Sequence, residues 1–108
     1  MKTANIRRTT AWFEVQLTTK RSQTAVMTLD AGGESSEELN THEHSDQVVL
    51  VIEGEIAAEV GGKKMTLRGG DSAIIPAGTP HRLSNGGKTK AVTFNVYSPP
   101  EYPPGTKD

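Results

Sequence analysis

Cysteine is absent from this sequence. That excludes disulfides, thiolate metal ligands and a cysteine nucleophile; a cytoplasmic location is the expectation, since such a chain needs nothing more. No charge of one sign dominates: 12 Lys and Arg stand against 13 Asp and Glu. Without a basic block to neutralise phosphates, no nucleic-acid partner is expected. Long apolar runs are missing too. The longest, Val48 to Ile52, is far too short to span a bilayer, and the N-terminus lacks a signal-peptide core, so no membrane partner is expected. Histidine is scarce, with three residues in the chain. Glycine and proline are plentiful, 11 and 6 in 108 residues. That mix suits many short strands joined by tight turns, and the length fits one domain over residues 1–108.

The patterning divides this domain into an irregular N-terminal arm (1–10), a β-barrel (11–97) and a Pro-rich C-terminal strap (98–108). Phe13, Val15 and Leu17 alternate with Glu14 and Gln16, the period of a half-buried strand. Residues 24–29 form a second such strand. Ser35 and Glu38 match a capping box, but few apolar residues follow, so a loop is expected that becomes a strand near Leu39. On a strand, His42 and His44 would share a face. The continuous Val/Leu/Ile content of 47–53 predicts a strand buried on both faces. Gly54 bends it into 55–60, and Gly61-Gly62 makes a hairpin turn of the primed type. Residues 63–67 return, with Met65 and Leu67 inward; 72–75 and 81–84 are short strands; and 90–97 places Ala91, Thr93, Asn95 and Tyr97 on one face. The strap cannot enter a sheet interior and should run extended. Eight or nine strands without a helix indicate an all-β antiparallel barrel or sandwich.

Spacing carries the functional signal. His42-x-His44 is followed by Gln47 and then, after six residues, Gly54; Gly70, Pro76, Gly78, His81 and Asn85 follow with gaps of five, one, two and three. A lone His-x-His is usually a solvated loop, but here every histidine falls in one of these two patterns. Neutral imidazole is the commonest transition-metal donor. His42, His44 and His81 could supply three donors to one ion, and the Gln47 amide oxygen a fourth that adds no negative charge.

Both patterns resemble the two motifs of the cupin superfamily, particularly small single-domain cupins of the conserved-barrel, RmlC-like type. Two departures stand out: eight residues rather than five separate Gly33 from His42, and Gln47 follows His44 after two residues rather than three or four. The resemblance implies a double-stranded β-helix (jelly-roll) barrel. It implies one divalent transition-metal ion (Mn, Fe, Ni or Zn) held by His42, His44, Gln47 and His81, and a small-molecule ligand or substrate. Cupins that open unsaturated uronate rings are similar in using three His and one Gln. Isomerase- or lyase-type chemistry on a sugar, uronate or other small polar metabolite is therefore the leading expectation. A non-catalytic small-molecule-binding or sensor cupin and an Fe(II)-dependent dioxygenase are the alternatives, the latter weakened because two His plus one carboxylate is not the pattern here. A chain this small gains by pairing its outer sheet with another subunit, so a homodimer is expected.

Other patterns are weaker. Pro99-Pro100-Glu101-Tyr102 fits a WW-domain ligand but is better explained as strap. Gly61-Gly62-Lys63-Lys64 is a hairpin rather than a phosphate loop. Glu37 and Glu38 read as a charged loop.

Overall fold

A computed structural model describes residues 1–108. A three-residue 3₁₀ turn, Ile6–Arg8, precedes eight strands: β1 Phe13–Thr18, β2 Gln23–Leu29, β3 Asp46–Glu53, β4 Glu55–Val60, β5 Lys63–Arg68, β6 Ser72–Ile75, β7 His81–Ser84 and β8 Ala91–Ser98. They pair antiparallel in two sheets, ordered β1-β2-β8-β3-β6 and β5-β4-β7. This is the jelly-roll arrangement of a double-stranded β-helix.

Alternation explains the central strand. Ala91, Thr93, Asn95 and Tyr97 are all buried, while the residues between them are partly exposed. Their neighbours across the sheet are Ala25 and Met27 on β2 and Val49 and Val51 on β3. The core joins these to Phe13, Val15 and Leu29, and to Ile56, Ala58, Leu67 and Leu83 of the smaller sheet. Each fully buried Val or Leu contributes about 1.5–3 kcal/mol. Gly54 carries the chain from one sheet to the other with φ of 78°, and a Cβ there would lie 2.6 Å from the Lys90 carbonyl oxygen. Only glycine fits that corner. Gly61 and Gly62, with φ of 56° and 81°, make the expected primed turn between β4 and β5.

Three expectations need correction. Strand β3 is buried on one face only: Val49 and Val51 point inward, but Val48 and Ile52 are exposed, because no second sheet covers the outer face of the larger one and the N-terminal arm reaches it only in part, around Thr28, Ile52 and Val92. Met65 is 63% exposed, since β5 is an edge strand and only its Leu67 reaches the core. His42 and His44 do not lie on a strand. After an isolated pairing of Asn40 with His81, the chain bends at Glu43-His44 and resumes as a strand only at Asp46.

Candidate functional site

The segment before that bend is fastened to β7. Ser35 N donates to the Leu83 carbonyl (2.8 Å) and Leu83 N to Ser35 Oγ (2.9 Å). Asn40 and His81 exchange backbone bonds of 2.7 and 2.8 Å, and the His42 carbonyl accepts from Gly78 N at 2.8 Å. These bonds bring His42 beside His81, with ring centroids 4.8 Å apart and planes at 51°. Both residues are 4% exposed.

Each ring has its Nδ1 engaged. His81 Nδ1 lies 3.0 Å from the Thr79 carbonyl oxygen, an acceptor only, so Nδ1 carries the hydrogen and Nε2 keeps a lone pair. His42 Nδ1 faces the Glu101 carboxylate at 3.2 Å, which favours the same tautomer. Burial pushes the His81 pKa below its ordinary value, with His42 adding to the shift, while the Thr79 contact and Glu101 oppose it. The His81 ring is therefore neutral at pH 7 and able to donate a lone pair.

Gln47, at the start of β3, is 3% exposed. Its Nε2 donates to Asn95 Oδ1 at 3.0 Å, and its Oε1 is buried without a partner. Tyr97 and Tyr102 present their rings edge-on to His42 at 5.4 and 6.0 Å. Desolvation first, then mutual proximity and Glu101, hold the Tyr97 phenol well above its ordinary range. Tyr102 is raised for the same leading reason. Both phenols stay protonated and uncharged.

His42, Gln47, His81, Tyr97 and Tyr102 share the wall of a cavity of about 210 Å³. A larger crevice of about 690 Å³ lies against the N-terminal arm, near Arg7, Trp12 and Lys90. No two histidines or buried unpaired polar atoms meet there, so the smaller cavity is the chemically equipped one. His44 is exposed and does not line the cavity.

The Pro-rich strap reaches this site. Gln23, 1% exposed, clamps it: Nε2 donates to the Tyr102 carbonyl at 2.7 Å, and Oε1 accepts from Glu101 N and Tyr102 N at 3.2 and 3.1 Å. Farther along, Val15 N donates to the Thr106 carbonyl (2.8 Å) and Asp108 N to the Phe13 carbonyl (2.9 Å). Glu101 and Tyr102 are thus carried to His42 by a segment whose composition signals only an extended tail. The inward alternation of Asn95 and Tyr97 on β8 was a usable signal: polar side chains on the buried face of a strand beside Gln47.

Nowhere do three His, Cys, Asp or Glu side chains gather as they would around a metal ion. The lone-pair donors in the cavity wall are two imidazoles and one amide. Each imidazole has its Nδ1 occupied by a carboxylate or carbonyl, the arrangement that orients metal-ligating histidines. The unpartnered Gln47 oxygen adds a third lone-pair donor, and the set fits a divalent cation.

Residues 25–97 match the family model described as "Cupin domain". The chain belongs to the cupin family. The Bacillus subtilis (strain 168) protein YrkC is 33% identical over 111 residues, covering 97% of this chain and 56% of YrkC. This cupin thus spans little more than half the length of that relative. Quercetin 2,3-dioxygenase of the same organism is 29% identical over 72 residues, 66% of this chain and 21% of the enzyme. Among solved structures, BH2720 from Bacillus halodurans superposes with a TM-score of 0.87 at 27% identity, covering 94% of this cupin and 80% of BH2720. The family accounts for the barrel and leaves the reaction to the cavity residues.

Proposed function

We propose that this cupin holds one divalent transition-metal ion (Mn, Fe, Ni or Zn) and acts on a small polar metabolite, a sugar or uronate, by isomerase- or lyase-type chemistry. The observation that carries the reading is the buried, unpartnered Oε1 of Gln47 in a cavity whose wall also holds two histidines with their Nδ1 atoms already engaged. His42, His81 and Gln47 would hold the ion. Bound there, it would act as a Lewis acid toward a substrate carbonyl or hydroxyl. His44 belongs to the same motif but faces solvent, so its loss should matter less than that of His42 or His81.

The chain's own groups do the rest. Thr79 and Glu101 orient the two rings. The Tyr97 and Tyr102 phenols stay protonated and offer hydrogen-bond donors to substrate oxygens. The strap narrows the cavity, and its small volume suits a metabolite rather than a polymer. Metal-dependent turnover of a uronate or sugar panel, lost in His81→Ala, is the expected result. Unchanged turnover after complete metal removal would refute the reading. Oxygen uptake with Fe(II) would favour the dioxygenase alternative, although the Glu101 carboxylate is engaged with His42 Nδ1. Tight binding without turnover would favour a sensor.

We also propose that the outer face of the larger sheet pairs with a second copy. Val48, Ile52 and Ile74 are 39%, 42% and 60% exposed. In the sheet register, Val48 lies between Val96 and Ile74, and Leu50 beside Phe94, so the apolar side chains form one continuous patch.

A further inference from the structure

We propose that a one-way hydrogen-bond chain through the barrel interior fixes which end of the Gln47 amide faces the cavity, and that this chain is why position 47 carries an amide rather than a carboxylate. The links are Gln47 Nε2 to Asn95 Oδ1 (3.0 Å), Asn95 Nδ2 to Thr93 Oγ1 (3.0 Å) and Thr93 Oγ1 to the Met27 carbonyl oxygen (3.1 Å). Gln47, Asn95 and Thr93 are 3%, 1% and 0% exposed, so water does not replace the links.

The direction is set at the far end. A carbonyl oxygen only accepts, so the single hydroxyl proton of Thr93 points to Met27. Thr93 Oγ1 can then only accept from Asn95, which turns the Asn95 NH₂ toward it and leaves Oδ1 facing Gln47. Gln47 must answer with its own NH₂, and its oxygen is left on the cavity side. Backbone register maintains the arrangement: Met27 sits opposite Thr93 across β2 and β8, and Thr93 and Asn95 share the inward face of β8.

Glutamate at 47 would set a carboxylate oxygen against Asn95 Oδ1. Relieving that clash means turning Asn95 over, which in turn pulls the Thr93 proton away from Met27. A buried chain resists such a reversal because every intermediate arrangement leaves a polar atom unpaired. The cavity therefore presents a neutral lone-pair donor at this point. Taken with the cation reading above, on which this last step rests, an ion held by two neutral imidazoles and a neutral amide keeps a net positive charge that the Glu101 carboxylate behind His42 offsets only in part. The substrate class that matches is an anionic metabolite, a carboxylate-bearing sugar acid rather than a neutral sugar.

The orientation is tested on metal-free, isotopically labelled protein by NMR. The Gln47 side-chain NH₂ protons should show nuclear Overhauser contacts to the Asn95 side chain and slow exchange with water. Contacts from those protons to the His42 or His81 ring protons would overturn the proposal. In Thr93→Val, Gln47 NH₂ exchange should rise at least tenfold and Co²⁺ affinity should fall about tenfold; Thr93→Ser, which keeps the hydroxyl, should stay within twofold on both. Equal values in the two variants would also overturn it. Should Thr93→Val not fold, the wild-type contacts and Thr93→Ser still decide. The expected Gln47 orientation in a wild type that takes up no Co²⁺ would uphold the relay while refuting the cation reading; Co²⁺ uptake with the amide reversed would do the opposite.

Discussion

Replacing Gln23 with methionine isolates what fastens the strap to the barrel. Methionine has nearly the same length and fills the same buried space, but it makes none of the three strap bonds at 2.7, 3.1 and 3.2 Å. Each such bond contributes about 1 kcal/mol net, so local opening of the strap should become about 3 kcal/mol easier. At about 1.4 kcal/mol per decade, amide hydrogens protected only by the strap should exchange roughly 100-fold faster. The informative amides are Val15, bonded to Thr106, and Asp108, bonded to Phe13, because neither touches Gln23. Hydrogen exchange followed by NMR would read them against amides in β3 and β8, which should not change. Less than threefold acceleration at both would show that the strap is held by its pairing with β1 and that Gln23 is not the clamp.

Other consequences are independent of the strap. Gly54→Ala forces an alanine to φ near 78° with its Cβ 2.6 Å from Lys90 O, so it should cost about 3 kcal/mol or prevent folding, measured by urea denaturation. His81 has a folded pKa below the ordinary 6.5 of the unfolded chain. The unfolded state therefore binds the extra proton first, and metal-free stability should be full above about pH 6.5 and fall as pH drops toward the folded pKa. His81→Asn should flatten that fall; an identical pH profile would assign it to other groups. Wild type should run at twice the chain mass in light scattering at micromolar concentration. Val48→Lys with Ile74→Lys should run as a monomer, and a monomeric wild type would dispose of the dimer.

Much of this was legible in the residues. The β8 alternation, the Gly54 corner and the Gly61-Gly62 turn follow from local chemistry, and the structure keeps them. The apolar run of β3 misled because composition reports hydrophobicity and not which face has a partner: Val48 and Ile52 are as apolar as Val49 and Val51, yet they sit on the uncovered side. The expected strand at His42-x-His44 failed for a related reason. Residues two apart share a face only on a regular strand, and the Glu43-His44 bend breaks that regularity. Glu101 was out of reach altogether. Its backbone is bonded to Gln23, a residue 78 positions away with no periodic signal linking the two.

Isothermal titration of metal-free protein with Co²⁺ decides whether the two buried imidazoles and the Gln47 oxygen act as one cation site. One ion per chain is expected for wild type, with affinity at least tenfold weaker in His42→Ala, His81→Ala and Gln47→Leu and changed far less in His44→Ala. No binding by correctly folded wild type, or binding that survives both His42→Ala and His81→Ala unchanged, would contradict it.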